Sequence, residues 1–180
     1  MFKSTNEVLK ILRDGNQRFI DDKENNYDFI KTRKRLIKKQ NPFVIVLSCS
    51  DSRVAPEIVF DVNLIEIFDV RIAGNIVNED ILESIQYAID EFSCSIILVL
   101  GHESCGAIQI TIDGVDNNIT RKIKPIINES NPIKANVQQS VDEINKYMEK
   151  REPLNNKYLV VGAIYNLKMG KVEFLNEEVI

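Results

Sequence analysis

Two short segments hold most of the thiol and imidazole donors of the chain: Cys49-Ser50-Asp51-Ser52-Arg53 and Gly101-His102-Glu103-Ser104-Cys105-Gly106. Together they carry two of the three cysteines and the only histidine of the chain. Two thiolates and an imidazole form the borderline-soft donor set that suits Zn²⁺, which takes sulfur, nitrogen and carboxylate ligands in a tetrahedron. Cys-x-Asp and His-x-x-Cys can each present two donors from a single turn. A second chemistry uses the same residues, with Cys105 as a nucleophile and His102 as its base. The His-x-x-Cys spacing brings both groups to one point, which serves a shared cation at least as well as a proton transfer. Taken singly, each segment also has a plainer reading: a turn closed by an Asp51–Arg53 ion pair, and a histidine satisfied at a strand end. The coincidence of scarce residue types at two matching places favours a shared metal site. Cys94 reads as a small buried hydrophobe, and the chain has no Cys-x-x-Cys, P-loop or Gly-rich dinucleotide fingerprint.

The elements that must position these segments follow from the hydrophobic pattern. Continuous apolar, β-branched runs at Phe43–Leu47, Leu64–Val70, Ser95–Leu100 and Tyr158–Tyr165 read as strands buried on both faces. Each candidate segment directly follows one of these runs, where ligands bind in an open α/β sheet. Between the second and third runs, Asn78 can cap a helix whose apolar residues Ile81, Leu82, Ile85, Ala88, Ile89 and Phe92 recur at three and four. Alternation of strand and helix predicts a mostly parallel central sheet flanked by helices. If the first and third strands are neighbours, the two segments meet. Ser4 to Glu7 caps an amphipathic helix running to about Phe19, and a basic helical segment, Lys31–Lys39, ends at Asn41-Pro42. Thr111–Pro132 reads as a polar loop with one short helix, Ala135–Met148 as a further helix, and the tail as a hairpin around Gly170.

The 180 residues fit one domain with a full core. Net charge is −4, from 23 basic and 27 acidic residues mixed along the chain, which gives no nucleic-acid footprint. The basic run Lys31–Lys39 reads as a solvated helix face rather than a phosphate patch. The N-terminus lacks the apolar core of a signal peptide, and no stretch is long enough to cross a bilayer. A cytoplasmic location is therefore expected, with three reduced thiols used for metal binding, catalysis or burial.

The segments CSDSRVAPEIVF, FDVRIAGNIV, SIQYAI and VLGHESCGAI, in that order, resemble the β-class carbonic anhydrases of the short bacterial type. EVLKILRDGNQRF resembles the family's N-terminal helix and VVGAIYNLKMGKVEFL its closing strands, so the likeness covers most of the chain. It implies a single domain over residues 1–180, with an N-terminal helical arm at 1–40 that packs on a partner subunit and a zinc-binding α/β core at 43–180. It also implies reversible hydration of CO₂ to bicarbonate and a proton by a zinc-bound hydroxide, with one Zn²⁺ per chain and a homodimer or larger homo-oligomer. By position, Cys49, His102 and Cys105 match the constant zinc ligands, Asp51 the movable fourth ligand, and Arg53 the partner that holds Asp51 off the metal. Gln40 matches a glutamine that hydrogen-bonds substrate, and Phe68, Ala73 and Tyr87 match the lining of an apolar cleft. Exchange of Asp51 between Arg53 and the metal would be an on/off switch. Two other readings are a homologue acting on CS₂ or a related small molecule, and a zinc module with a permanently closed Cys₂HisAsp site. The chain departs from the family pattern at Asp61–Glu66, which lacks the usual Gly-Asp pair, at Ile72, and in an Asn-rich loop from Gly114 to Asn131.

Overall fold

The computed structural model describes residues 3–92, 94–150 and 158–175. Five strands form one sheet: β1 (Val44–Ser48), β2 (Ile67–Arg71), β3 (Ile96–His102), β4 (Leu159–Tyr165) and β5 (Val172–Phe174). Their order is β2-β1-β3-β4-β5, with the first four parallel and β5 antiparallel to β4. The chain leaves β1 towards one edge to make β2 and then returns to place β3 on the other side of β1. The β1/β3 boundary is therefore a topological switch point, with its crevice at the carboxyl ends of the strands.

The two-residue period of a strand explains why the apolar runs are continuous. Val44 and Val46 face a core shared with Val8, Leu9 and Leu12 of α1 (Thr5–Ile20) and Val59 of α3 (Pro56–Val59). Ile45 and Leu47 face the opposite core, shared with Ile81 and Ile85 of α4 (Glu79–Glu91) and Val137, Val141 and Ile144 of α7 (Pro132–Met148). The Ser4–Glu7 capping box starts α1, and Asn78 caps α4 by accepting from the Ile81 N–H, both as their sequences predict. The apolar stripe of α1 is spent on the core of its own chain.

Three segments differ from the sequence expectation. Leu64 and Ile65 belong to a turn, not to β2: the Asn63 N–H donates to the Glu66 carboxylate at 2.7 Å, and Ile65 takes φ 93°. The basic helix α2 (Phe29–Arg35) stops well before Pro42. Ile37 is 81% exposed, so no apolar contact repays another turn of so short a helix. Thr111 belongs to a helix, α5 (Gly106–Ile112), which leads to α6 (Asn118–Ile123) and a 3₁₀ turn at Lys124–Ile126. The hairpin at Gly170 (φ 69°) forms as expected. The first two and last five residues of the expected domain lie outside the described residues.

Candidate metal centre

Direct pairing of β1 with β3, Ser48 opposite Leu100, carries Cys49 and His102 to one end of the sheet. Cys105 is the third residue after β3, beyond a turn in which Ser104 takes a left-handed φ of 53°, and it stands at the N-cap of α5. The donor atoms of Cys49, His102 and Cys105 all lie within 4.8 Å of one another, and all three residues are buried.

Each donor is aimed by its backbone. The Glu103 N–H donates to the Tyr165 carbonyl at 3.1 Å, extending the β3–β4 ladder. That fixes the Glu103 carbonyl 2.8 Å from His102 Nδ1. A carbonyl can only accept, so Nδ1 carries the proton and Nε2 is left with its lone pair. Among the described residues Nε2 is buried without a hydrogen-bond partner, an orphaned acceptor directed at the two sulfurs. Cys49 Sγ accepts from the Gly74 N–H at 3.2 Å. The Cys49 thiol is held well below its ordinary range because the Cys105 thiol and the Gly74 N–H hydrogen-bond its thiolate, while the Cys105 thiol is pushed up as the donor to that thiolate. His102 is raised: burial opposes the charged ring, and the negative charge of the nearby Cys49 thiolate outweighs it. Two thiols competing for one ionisation beside an unpartnered imidazole form a set that a divalent cation would complete, so the residues present fit zinc.

Asp51 stands beside this cluster, with Oδ2 4.0 Å from His102 Nε2. Arg53 grips its carboxylate at both oxygens, Nε to Oδ1 at 2.9 Å and Nη2 to Oδ2 at 2.7 Å, and the Arg53 N–H adds a bond to Oδ1 at 3.0 Å. This fork holds the Asp51 carboxyl well below the usual carboxylate range. The sequence reading missed Arg71. Its Nη2 donates to the carbonyls of Cys49, Asp51 and Val54 at 3.0, 2.8 and 2.6 Å, clamping the whole loop after β1. The one hint available was a cation at the carboxyl end of a strand that also carries Asp69.

The expected cleft residues divide. Ala73 lies beside the cluster, next to Gly74. Phe68 and Tyr87 pack against each other, with centroids 6.1 Å apart, and both pack on Phe92. Phe68 lies opposite Ile45 near the amino end of its strand, and Tyr87 is 52% exposed. Gln40 is exposed in the connection before β1. A five-residue strand about 16 Å long therefore separates Gln40 from Cys49 within one chain. Cys94 is buried before β3, where desolvation pushes its thiol up to about 12.

Fold and site together define an α/β protein with a Cys-His-Cys cluster able to hold a metal at the carboxyl ends of neighbouring parallel strands. The family model described as carbonic anhydrase matches residues 44–172. A carbonic anhydrase of Mycolicibacterium smegmatis is 33% identical over 185 residues, covering 91% of this chain and 90% of that protein. Carbonic anhydrase 2 of Mycobacterium tuberculosis is 37% identical over 117 residues, 63% of this chain and 56% of its own length. Among solved structures, a Coccomyxa β-carbonic anhydrase in complex with acetazolamide is similar with a TM-score of 0.68 at 21% identity, covering 93% of this chain and 86% of that one. A β-carbonic anhydrase of Aspergillus fumigatus matches with a TM-score of 0.68 at 17% identity, covering 82% and 81%. The chain belongs to the β-class carbonic anhydrases. That membership implies zinc-dependent hydration of CO₂ as its class of reaction.

Proposed function

We propose that Cys49, His102 and Cys105 hold one Zn²⁺, and that the chain uses it for the reversible conversion of CO₂ to bicarbonate and a proton. The observation that carries this reading is the buried, unpartnered His102 Nε2 facing two thiols, with an Arg-held carboxylate 4.0 Å away. Bound zinc would supply a Lewis acid that brings the pKa of a coordinated water to about 7. The protein's own residues do the rest. Arg53 keeps Asp51 oriented as an anionic hydrogen-bond acceptor at the edge of the cluster, and Ala73 gives part of an apolar wall suited to a nonpolar gas. The sole histidine is spent on the metal, so the product proton leaves through water, buffer or a carboxylate.

Asp51 is also the switch in this reading. Held low by Arg53, it stays ionised through the mildly acidic range. With zinc bound, Arg53 and the metal would be two cations competing for the Asp51 anion, so a switch would need no protonation of Asp51. Loss of the guanidinium in Arg53→Ala should lower CO₂ hydration about 10- to 100-fold while zinc stays at one per chain. Wild-type rates in that variant would remove Arg53 from the mechanism.

Gln40, Phe68 and Tyr87 serve the site of a second copy in a homodimer. The support is the place of Gln40 and Phe68 at the amino end of the sheet, with Tyr87 of α4 packed on Phe68, away from the cluster of their own chain. A pair of tetrameric β-carbonic anhydrases from Sordaria macrospora with the same fold, TM-score 0.62, is consistent with assembly. No described helix is long and apolar enough to cross a membrane, and the three free thiols suit a reducing cytoplasm.

The test of the main reading is CO₂ hydration followed with a pH indicator on protein of known zinc content. Activity that disappears with chelation and returns with zinc is expected. Zinc at one per chain with no activity across a broad pH range would make this a structural zinc module.

A further inference from the structure

We propose that Asn136 and Ser140 of α7 are positioning residues for the metal centre, holding the Ala73–Asn75 turn so that the Gly74 N–H meets the Cys49 sulfur. This rests on the zinc reading above. Asn136 Nδ2 donates to the Gly74 carbonyl at 2.7 Å, and Ser140 Oγ donates to the Asn75 carbonyl at 2.9 Å, both in the interior. The Gly74 N–H donates to Cys49 Sγ at 3.2 Å. These three bonds form one chain from helix to turn to metal-ligating sulfur.

The turn needs such support. Gly74 (φ 72°) and Asn75 (φ 44°) are consecutive left-handed residues, and an asparagine in that region is held there by its surroundings. A side chain at 74 would also be crowded, since a Cβ would lie 2.9 Å from Ile123 Cδ1 and 3.0 Å from the Ala107 Cβ. Asn136 and Ser140 are four residues apart and so share one face of α7. That face is set by the neighbouring Val137, which enters a hollow left by two glycines. A Cβ on Gly101 would stand 2.4 Å from Val137 Cγ2, and one on Gly162 2.9 Å from Val137 Cγ1. Gly101 is the residue before His102, so the seat of α7 and the imidazole ligand share one strand end.

An N–H donated to a ligating thiolate fixes its rotamer and withdraws charge from the sulfur, which alters how strongly that sulfur donates to the metal. Release of the turn should therefore be read at the metal itself. Asn136→Ala and Ser140→Ala are compared with wild type in zinc affinity, by competition with a chromophoric chelator, and in the sulfur-to-metal absorption of the cobalt(II)-substituted proteins. Val141→Ala is the control, because it removes core volume from the same helix. The expected result is a fall of about 10- to 100-fold in zinc affinity with a shifted charge-transfer band in both test variants. The control should lose thermal stability alone. If Asn136→Ala does not fold, Ser140→Ala, which deletes a single hydroxyl, still decides. Wild-type affinity and band in the test variants, or equal changes in Val141→Ala, would overturn the proposal. A wild-type protein that binds neither metal would instead sink the zinc reading.

Discussion

Asp69 shows how a single ionisable residue beside the site sets a pH dependence of the fold. Its Oδ1 is buried without a hydrogen-bond partner, and Arg71 stands 4.0 Å from its other oxygen. Burial, with a contribution from Glu57, pushes the carboxyl up to about 6 against the pull of Arg71. The folded chain thus holds this proton more tightly than the unfolded chain, where an aspartate titrates near about 3.9. The stability tied to that proton is fully present below the unfolded value and is lost as pH rises through about 6. Asp69→Asn keeps the shape and removes the charge. It should be more stable than wild type by ~1–3 kcal/mol near pH 8, an advantage that falls to roughly a third near pH 4.5 and vanishes only below the unfolded value. Urea titrations at the two pH values check this, and an equal difference at both would refute it. Asp51 runs the other way: its ion pair with Arg53 is present above the ordinary carboxylate range and fails only in strong acid, so neutral-pH titration does not open it.

At the scale of elements, the seating of α7 on β3 and β4 ties packing to the site. Val137 is β-branched and stiff about χ1 in a helix, so it cannot swing aside if Gly101 gains a methyl group. Gly101→Ala should cost about 1–3 kcal/mol through overpacking. Val137→Ala in the same chain should restore part of that loss. A double-mutant cycle by chemical denaturation measures the coupling, and additive effects would show that the contact is not the cause. The sequence marks Gly101 only as the residue before a histidine. Its reason lies in Val137, 36 positions on, which no local pattern connects to it.

At the scale of the molecule, Gln40 and the metal cluster occupy opposite ends of one sheet. If Gln40 of the partner subunit completes each site, two impaired variants should complement each other. Gln40→Ala keeps a metal site but offers no glutamine, and His102→Ala offers the glutamine without a metal site. After mixing and subunit exchange, half the dimers carry one intact site of two, so recovery towards about a quarter of wild-type activity is expected. No recovery above the sum of the separate variants would place Gln40 outside the reaction.

The first and third apolar runs, the caps at Ser4 and Asn78 and the two motifs were all legible locally, because strand period, capping and donor chemistry are short-range properties. The amphipathic stripe of α1 was legible too, and its partner in the described chain is its own core. Leu64 and Ile65 were misread because composition alone does not reveal a turn closed by the Glu66 side chain. The sequence by itself marked Cys49, His102 and Cys105 as candidate donors, and the strands that carry them. Only the tertiary structure decided that β1 lies beside β3, that Arg71 clamps the ligand loop, and that Asn136 reaches Gly74 across 62 positions. Those contacts join residues distant in sequence, and the closing of the sheet and the docking of α7 are what bring them together.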